Sequence, residues 1–85
     1  MKAPKITHWV LSPHALARIE ERHVSSAELS EVILNPEVTV QQGHKWIFAK
    51  HFSGRTDNNI AAVLLERREH GLWVVVTVMV RFQEK

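Results

Sequence analysis

The chain has 85 residues, 45% of them hydrophobic, which is enough for one domain with a small core. It contains no cysteine, and this excludes disulfide bonds and thiolate metal sites. Eleven Lys and Arg against nine Asp and Glu give a formal net charge of +2, a mild bias towards anionic partners. No apolar run approaches the roughly 18 residues of a membrane span, so we expect a cytoplasmic protein that does not enter a membrane.

Residues 1–10 are a polar lead-in, which we expect to be either disordered or a short edge strand. The first helix is signalled by Ser12, an N-cap residue, and by Pro13 at the first helical position, where a missing N–H costs nothing. We predict that this helix runs to about His23.

A second helix is signalled by Ser25 and Glu28, which have the spacing of a capping box. It should end near Leu34, because Pro36 disfavours helical geometry at the residue before it. The two helices together make a predicted helical hairpin over residues 11–35.

After Pro36 the hydrophobic pattern changes from a helical period to alternation, which predicts strands. The expected strand segments are residues 38–41, 45–52, 60–68 and 72–82. We therefore predict a single α+β domain over residues 1–85, with two N-terminal helices packed on one face of a twisted antiparallel sheet of about four strands, the sheet occupying residues 37–83.

The last strand alternates between two sets of side chains. One set is wholly apolar, and we expect it to face the helices: Leu72, Val74, Val76, Val78, Val80 and Phe82. The other set is mixed, and we expect it to be partly exposed: Trp73, Val75, Thr77, Met79 and Arg81.

The first helix carries a basic ridge formed by His14, Arg18 and Arg22, which follow one another at intervals of four residues. Guanidinium groups bind phosphate, and a histidine can transfer protons near neutral pH. Glu21 lies close enough to pair with these arginines. Spacing alone therefore favours an ordinary solvated helix face over a site.

The spacing His14-Ala15-x-x-Arg18-x-x-x-Arg22 resembles the opening of a small bacterial family called domain of unknown function 4258. The resemblance continues through the capped second helix at residues 24–29 and through Asn35-Pro36-Glu37. The strand half matches mainly in its pattern.

This family is similar to toxins of the RelE/BrnT type, whose helices pack on one face of a twisted antiparallel sheet. The resemblance implies a metal-independent ribonuclease-like toxin or toxin-derived domain that acts on RNA without a cofactor. It also implies an antitoxin or immunity protein as a partner. The implied catalytic residues are His14, Arg18 and Arg22. The chain has no tyrosine, a residue that related toxins often use.

Basic residues also occur near the ends of the predicted strands. RNA cleavage without a metal needs a base, an acid and cations for the phosphorane charge. We predict that His51, Arg67, Thr77 and Arg81 of the sheet could supply these groups together with His14, if the residues converge. The predicted RNA-binding residues are Lys45, Lys50, Arg55, Arg68 and Trp73. The alternative is that such cations only protect a sheet edge, which is their common role.

Six histidines raise the question of metal, but no His-x-x-x-His pair occurs and we predict no metal site. Two alternatives to a ribonuclease-like toxin remain open. A non-catalytic module of the same fold could bind a protein partner or nucleic acid. A homodimer could form through a sheet edge or through the mixed face of the last strand.

Overall fold

The computed structural model describes residues 3–54, 59–66 and 72–80. Its elements follow the order strand, two helices, four strands. Their bounds are β1 His8–Leu11, α1 Pro13–Glu21, α2 Ser26–Leu34, β2 Val38–Gln42, β3 Lys45–His51, β4 Asn59–Glu66 and β5 Leu72–Val80.

The five strands form one mixed sheet in the order β1-β5-β4-β3-β2. β2, β3, β4 and β5 pair antiparallel with their neighbours, whereas β1 runs parallel to β5. The prediction of about four antiparallel strands was therefore wrong in number and in direction. Parallel neighbours need a long connection, and here the two helices and three strands that separate β1 from β5 in the chain provide it.

Helix α1 begins at Pro13, as predicted, and ends at Glu21, two residues before the predicted end at about His23. The hydroxyl of Ser12 accepts a hydrogen bond of 3.0 Å from the backbone N–H of Ala15, and Pro13 occupies the first turn. After the helix, His23 adopts a left-handed φ of 54°, and the N–H of Val24 returns to the carbonyl of Ile19 at 3.0 Å. This closing bond is the signature of a Schellman motif.

Helix α2 has the predicted capping box. The hydroxyl of Ser25 accepts from the N–H of Glu28 at 3.1 Å, and the Glu28 carboxylate accepts from the N–H of Ser25 at 2.9 Å. The helix ends at Leu34, where it was predicted to end.

Both helices pack on one face of the sheet, and the main core lies between them and β3, β4 and β5. Its largest fully buried side chains are Phe48, Ile6, Ile33, Ile60, Leu64, Val32, Val75 and Val78. A smaller apolar cluster occupies the opposite face of the sheet and consists of Ile47, Ala49, Ala61 and Val63, with Val38, Val40, Val76 and Met79 packed against it.

A β-bulge divides β5 into two halves. Val63 pairs with Thr77 but Leu64 pairs with Val75, so Val76 is an extra residue in the ladder. An extra residue reverses the alternation of the side chains that follow it. The side chains of β5 that face the helices are therefore Trp73, Val75, Val78 and Val80. The predicted alternation was wrong for the residues before the bulge and correct for those after it.

Candidate nucleic-acid interface

The start of α1 is fixed on β5 by Ser12. Its backbone N–H donates to the carbonyl of Val75 at 3.0 Å, and its hydroxyl donates to the carbonyl of Val76 at 3.1 Å. Because the same hydroxyl also caps α1 through Ala15, the first helical turn has a defined position over the bulge.

His14 and Arg18 lie one turn apart on this anchored helix. His14 is exposed in the first turn, and the side chain of Arg18 keeps 35% of its surface accessible. The Arg18 guanidinium donates to the carboxylate of Glu21 at 2.7 Å. His14 and Arg18 thus both reach solvent on one side of α1. The carboxylate of Glu21 would compete with any anionic ligand for the Arg18 guanidinium.

Arg22 is placed differently from the other two residues of the predicted ridge. Its side chain is half-buried, and its Nε donates to the carbonyl of Val78 in β5 at 3.4 Å. This contact links the end of α1 to the sheet just as Ser12 links its start. Arg22 is thus engaged with the protein backbone.

The predicted sheet residues do not meet the α1 residues. Every second side chain of β3 points to the same face, so Lys45 and His51 lie on the same face as Ile47 and Ala49, away from the helices. They stand at opposite ends of β3, six residues or about 20 Å apart. The sheet separates both of them from His14.

Two further predicted RNA-binding residues serve the fold. The ammonium group of Lys50 donates to the carbonyl of Asn35 at the end of α2 at 3.0 Å and lies 3.7 Å from the carboxylate of Glu31. Trp73 is only 6% exposed and belongs to the main core, where its ring has no free face for a base. We therefore leave both residues out of the candidate interface.

The remaining predicted site residues lie outside the described residues: Arg55, Arg67, Arg68 and Arg81. Thr77 is described, and it is half-buried on the face of the sheet away from the helices. Of the residues that can be located, only His14 and Arg18 lie together and open to solvent.

No group of three or more His, Asp or Glu side chains within residues 3–54, 59–66 and 72–80 is placed to hold a metal ion. Neither described helix is long and apolar enough to cross a membrane.

The sequence interpretation missed two features near β1. One is the hydrogen bond from the Ser12 hydroxyl to the carbonyl of Val76, which depends on a bulge that no local sequence pattern indicates. The other is a shallow hollow of about 320 Å³ lined by Thr7, His8, Trp9 and Leu72, where the start of β1 meets the start of β5. The parallel pairing creates this hollow, and the pairing itself was not predicted.

Comparison with known proteins identifies a family. The family model described as "Domain of unknown function (DUF4258)" matches residues 11–80. No curated protein matches the chain. No solved structure matches it either.

Proposed function

The chain belongs to the DUF4258 family, and from this premise we propose that it is a metal-independent ribonuclease-like toxin, or a toxin-derived domain, that acts on RNA through His14 and Arg18. One observation carries the proposal. His14 is exposed in the first turn of a helix anchored on the sheet, one turn before an arginine that also reaches solvent.

The chemistry proposed for these two residues is transesterification at a phosphodiester. His14 takes the proton of the 2′-hydroxyl, the 2′-oxygen forms a bond to phosphorus, and the 5′-oxygen leaves with a proton from water. Arg18 offsets the negative charge that develops on the phosphorane oxygens. The N-terminal end of α1 adds a favourable dipole for a phosphate beside His14.

Two finer assignments form part of the same proposal. The fold is assigned to the RelE/BrnT group, and its support is the pair of helices on one face of a mainly antiparallel sheet. An antitoxin or immunity protein is proposed as the neutralising partner, and it would cover His14 and Arg18.

Growth on induced expression tests the activity. We expect the wild type to arrest growth and degrade RNA, and His14→Ala to abolish both effects. His44→Ala is the matched control, because His44 is also an exposed histidine but lies in the turn between β2 and β3. Loss of activity in both variants, or in neither, would remove His14 from the site.

A second candidate is a non-catalytic module that binds RNA or a protein partner. It is favoured by the separation of the predicted catalytic groups: Arg22 contacts a backbone carbonyl, and His51 lies on the opposite face of the sheet from α1. Purified protein incubated with labelled RNA distinguishes the two. Retention of intact RNA indicates the binding module, whereas conversion to shorter fragments by the wild type but not by His14→Ala indicates the ribonuclease.

A further inference from the structure

Among the described strands β1 forms one edge of the sheet, and the backbone groups on its outer side have no partner in the described residues. The N–H of Ser12 donates to the carbonyl of Val75, in keeping with the parallel register that pairs Val10 with Val74. Successive residues of a strand direct their N–H and C=O groups to alternate sides. Those of Val10 therefore point at β5, and those of Trp9 and Leu11 point outwards. Among the described strands, none pairs with that outer side.

The side chains of this edge are apolar and accessible. Val10 is 43% exposed and Leu11 is 38% exposed, and Leu16 at the start of α1 is 48% exposed. Of the four exposed large apolar residues in the described part of the chain, three thus lie in β1 or α1. Sheet edges are usually protected by charged residues or proline. β1 has neither, apart from the histidine at its first position.

The opposite edge of the sheet provides a contrast. β2 exposes Thr39, Gln41 and Gln42, which are all polar. Apolar exposure is therefore a property of the β1 edge and not of both edges.

We propose that β1 pairs antiparallel with β1 of a second copy of this chain, with Val10 on the two-fold axis. In this register Trp9 of each copy lies opposite Leu11 of the other. Both residues direct their backbone groups outwards, so each pair exchanges both of its N–H···O bonds. The strand is self-complementary in this register, because the two outward-facing residues are symmetric about Val10.

The described first helix leaves room for this pairing. A two-fold axis perpendicular to the sheet keeps the helices of both copies on the same side. The two copies of β5, over which α1 packs, would be three strand spacings or about 14 Å apart. Packed helices need only about 8–10 Å between their axes. Leu11 of one copy would lie beside Trp9 of the other, at the rim of the hollow that Trp9 lines.

The oligomeric state tests the proposal. Light scattering or sedimentation over rising micromolar concentrations should show a shift from the monomer mass of 9.8 kDa towards twice that value. Val10→Lys and Val10→Glu should each remain monomeric, because like charges would face one another across the axis. An equimolar mixture of the two variants should dimerise again. Leu34→Lys, at a 52% exposed position of α2, should dimerise as the wild type does.

A cysteine variant provides a readout that does not depend on added charge. The chain has no cysteine, and facing residues of a non-hydrogen-bonded pair have Cα atoms about 4.5 Å apart, which a disulfide can span. Oxidised Val10→Cys should form a cross-linked dimer, whereas Leu34→Cys should not. A wild type that is monomeric at every concentration would overturn the proposal. So would a Val10→Lys variant that dimerises like the wild type, since the interface would then lie elsewhere.

Discussion

The hydroxyl of Ser12 donates a hydrogen bond of 3.1 Å to the carbonyl of Val76, the extra residue of the bulge in β5. A bulge leaves its extra residue without a ladder partner, and here a helix cap supplies one. The same hydroxyl accepts from the N–H of Ala15, so one side chain satisfies a helix terminus and a strand carbonyl together. The position of α1, and with it that of His14, depends on this contact.

Ser12→Ala should lower the free energy of unfolding by about 2 kcal/mol, because it removes a helix cap and leaves a part-buried carbonyl unpaired. Ser12→Thr should recover most of this loss. Urea unfolding measures both. Ser26→Ala is the control: Ser26 is exposed in the first turn of α2 but is not its cap, and its replacement should change stability by less than about 0.5 kcal/mol. Equal losses in Ser12→Ala and Ser26→Ala would contradict the double role of Ser12.

The helices could be predicted because their signals are local. Ser12, Pro13 and the Ser25–Glu28 box act within one turn of the chain, and each works as its sequence indicates. The parallel pairing of β1 could not be predicted in this way, because four residues are too few for alternation of apolar and polar side chains to identify a strand. Its partner β5 also begins about 60 residues later in the chain.

The bulge in β5 predicts that alanine substitution of two neighbouring valines will lower stability by different amounts. Val75 is fully buried against the helices, whereas Val76 is half-buried on the other face of the sheet. Val75→Ala should cost about 2 kcal/mol of unfolding free energy, from two lost methyl groups at about 0.8 kcal/mol each and the cavity they leave. Val76→Ala should cost less than about 1 kcal/mol. Chemical denaturation of both variants measures the two losses of unfolding free energy. If the side chains of β5 alternated without a bulge, Val76→Ala would cost more than Val75→Ala.

The candidate site was only partly predictable, for a related reason. Spacing on one helix is enough to bring His14 and Arg18 together. It cannot reveal that Arg22 reaches the carbonyl of Val78, because that carbonyl comes from a distant strand. Nor can it show which face of the sheet carries Lys45 and His51, since this depends on the register between β3 and β4.

The turn between β2 and β3 depends on the backbone of Gly43. Its φ is +61°, and a Cβ built there would meet nothing within 4 Å. Gly43→Ala should therefore cost about 1 kcal/mol, from backbone conformation alone and not from a steric clash. Gly54→Ala is the matched control, because that position is equally open but does not have a left-handed φ. Thermal unfolding should show a lower midpoint for Gly43→Ala only, and similar midpoints would contradict the role of the turn.

The ion pair between Arg18 and Glu21 predicts how RNA affinity can be raised. The carboxylate of Glu21 lies 2.7 Å from the guanidinium that we propose contacts phosphate, so it would compete with RNA for that group. Exposed pairs of this kind contribute about 0.2–1 kcal/mol. Glu21→Gln should thus tighten RNA binding by a factor of about 1.5 to 5, as measured by fluorescence anisotropy at low salt. Arg18→Gln should weaken binding and reduce its salt dependence by roughly one phosphate contact.

Glu31→Gln is the control that separates the release of Arg18 in Glu21→Gln from the change in net charge of the protein. Glu31 is an exposed glutamate of α2, 3.7 Å from Lys50, so its replacement changes the charge of the protein by the same amount as Glu21→Gln. If RNA binds at His14 and Arg18, Glu31→Gln should leave the affinity closer to that of the wild type than Glu21→Gln does. Equal tightening by both variants would indicate diffuse attraction to the whole surface. The ridge of α1 would then have no special part in binding.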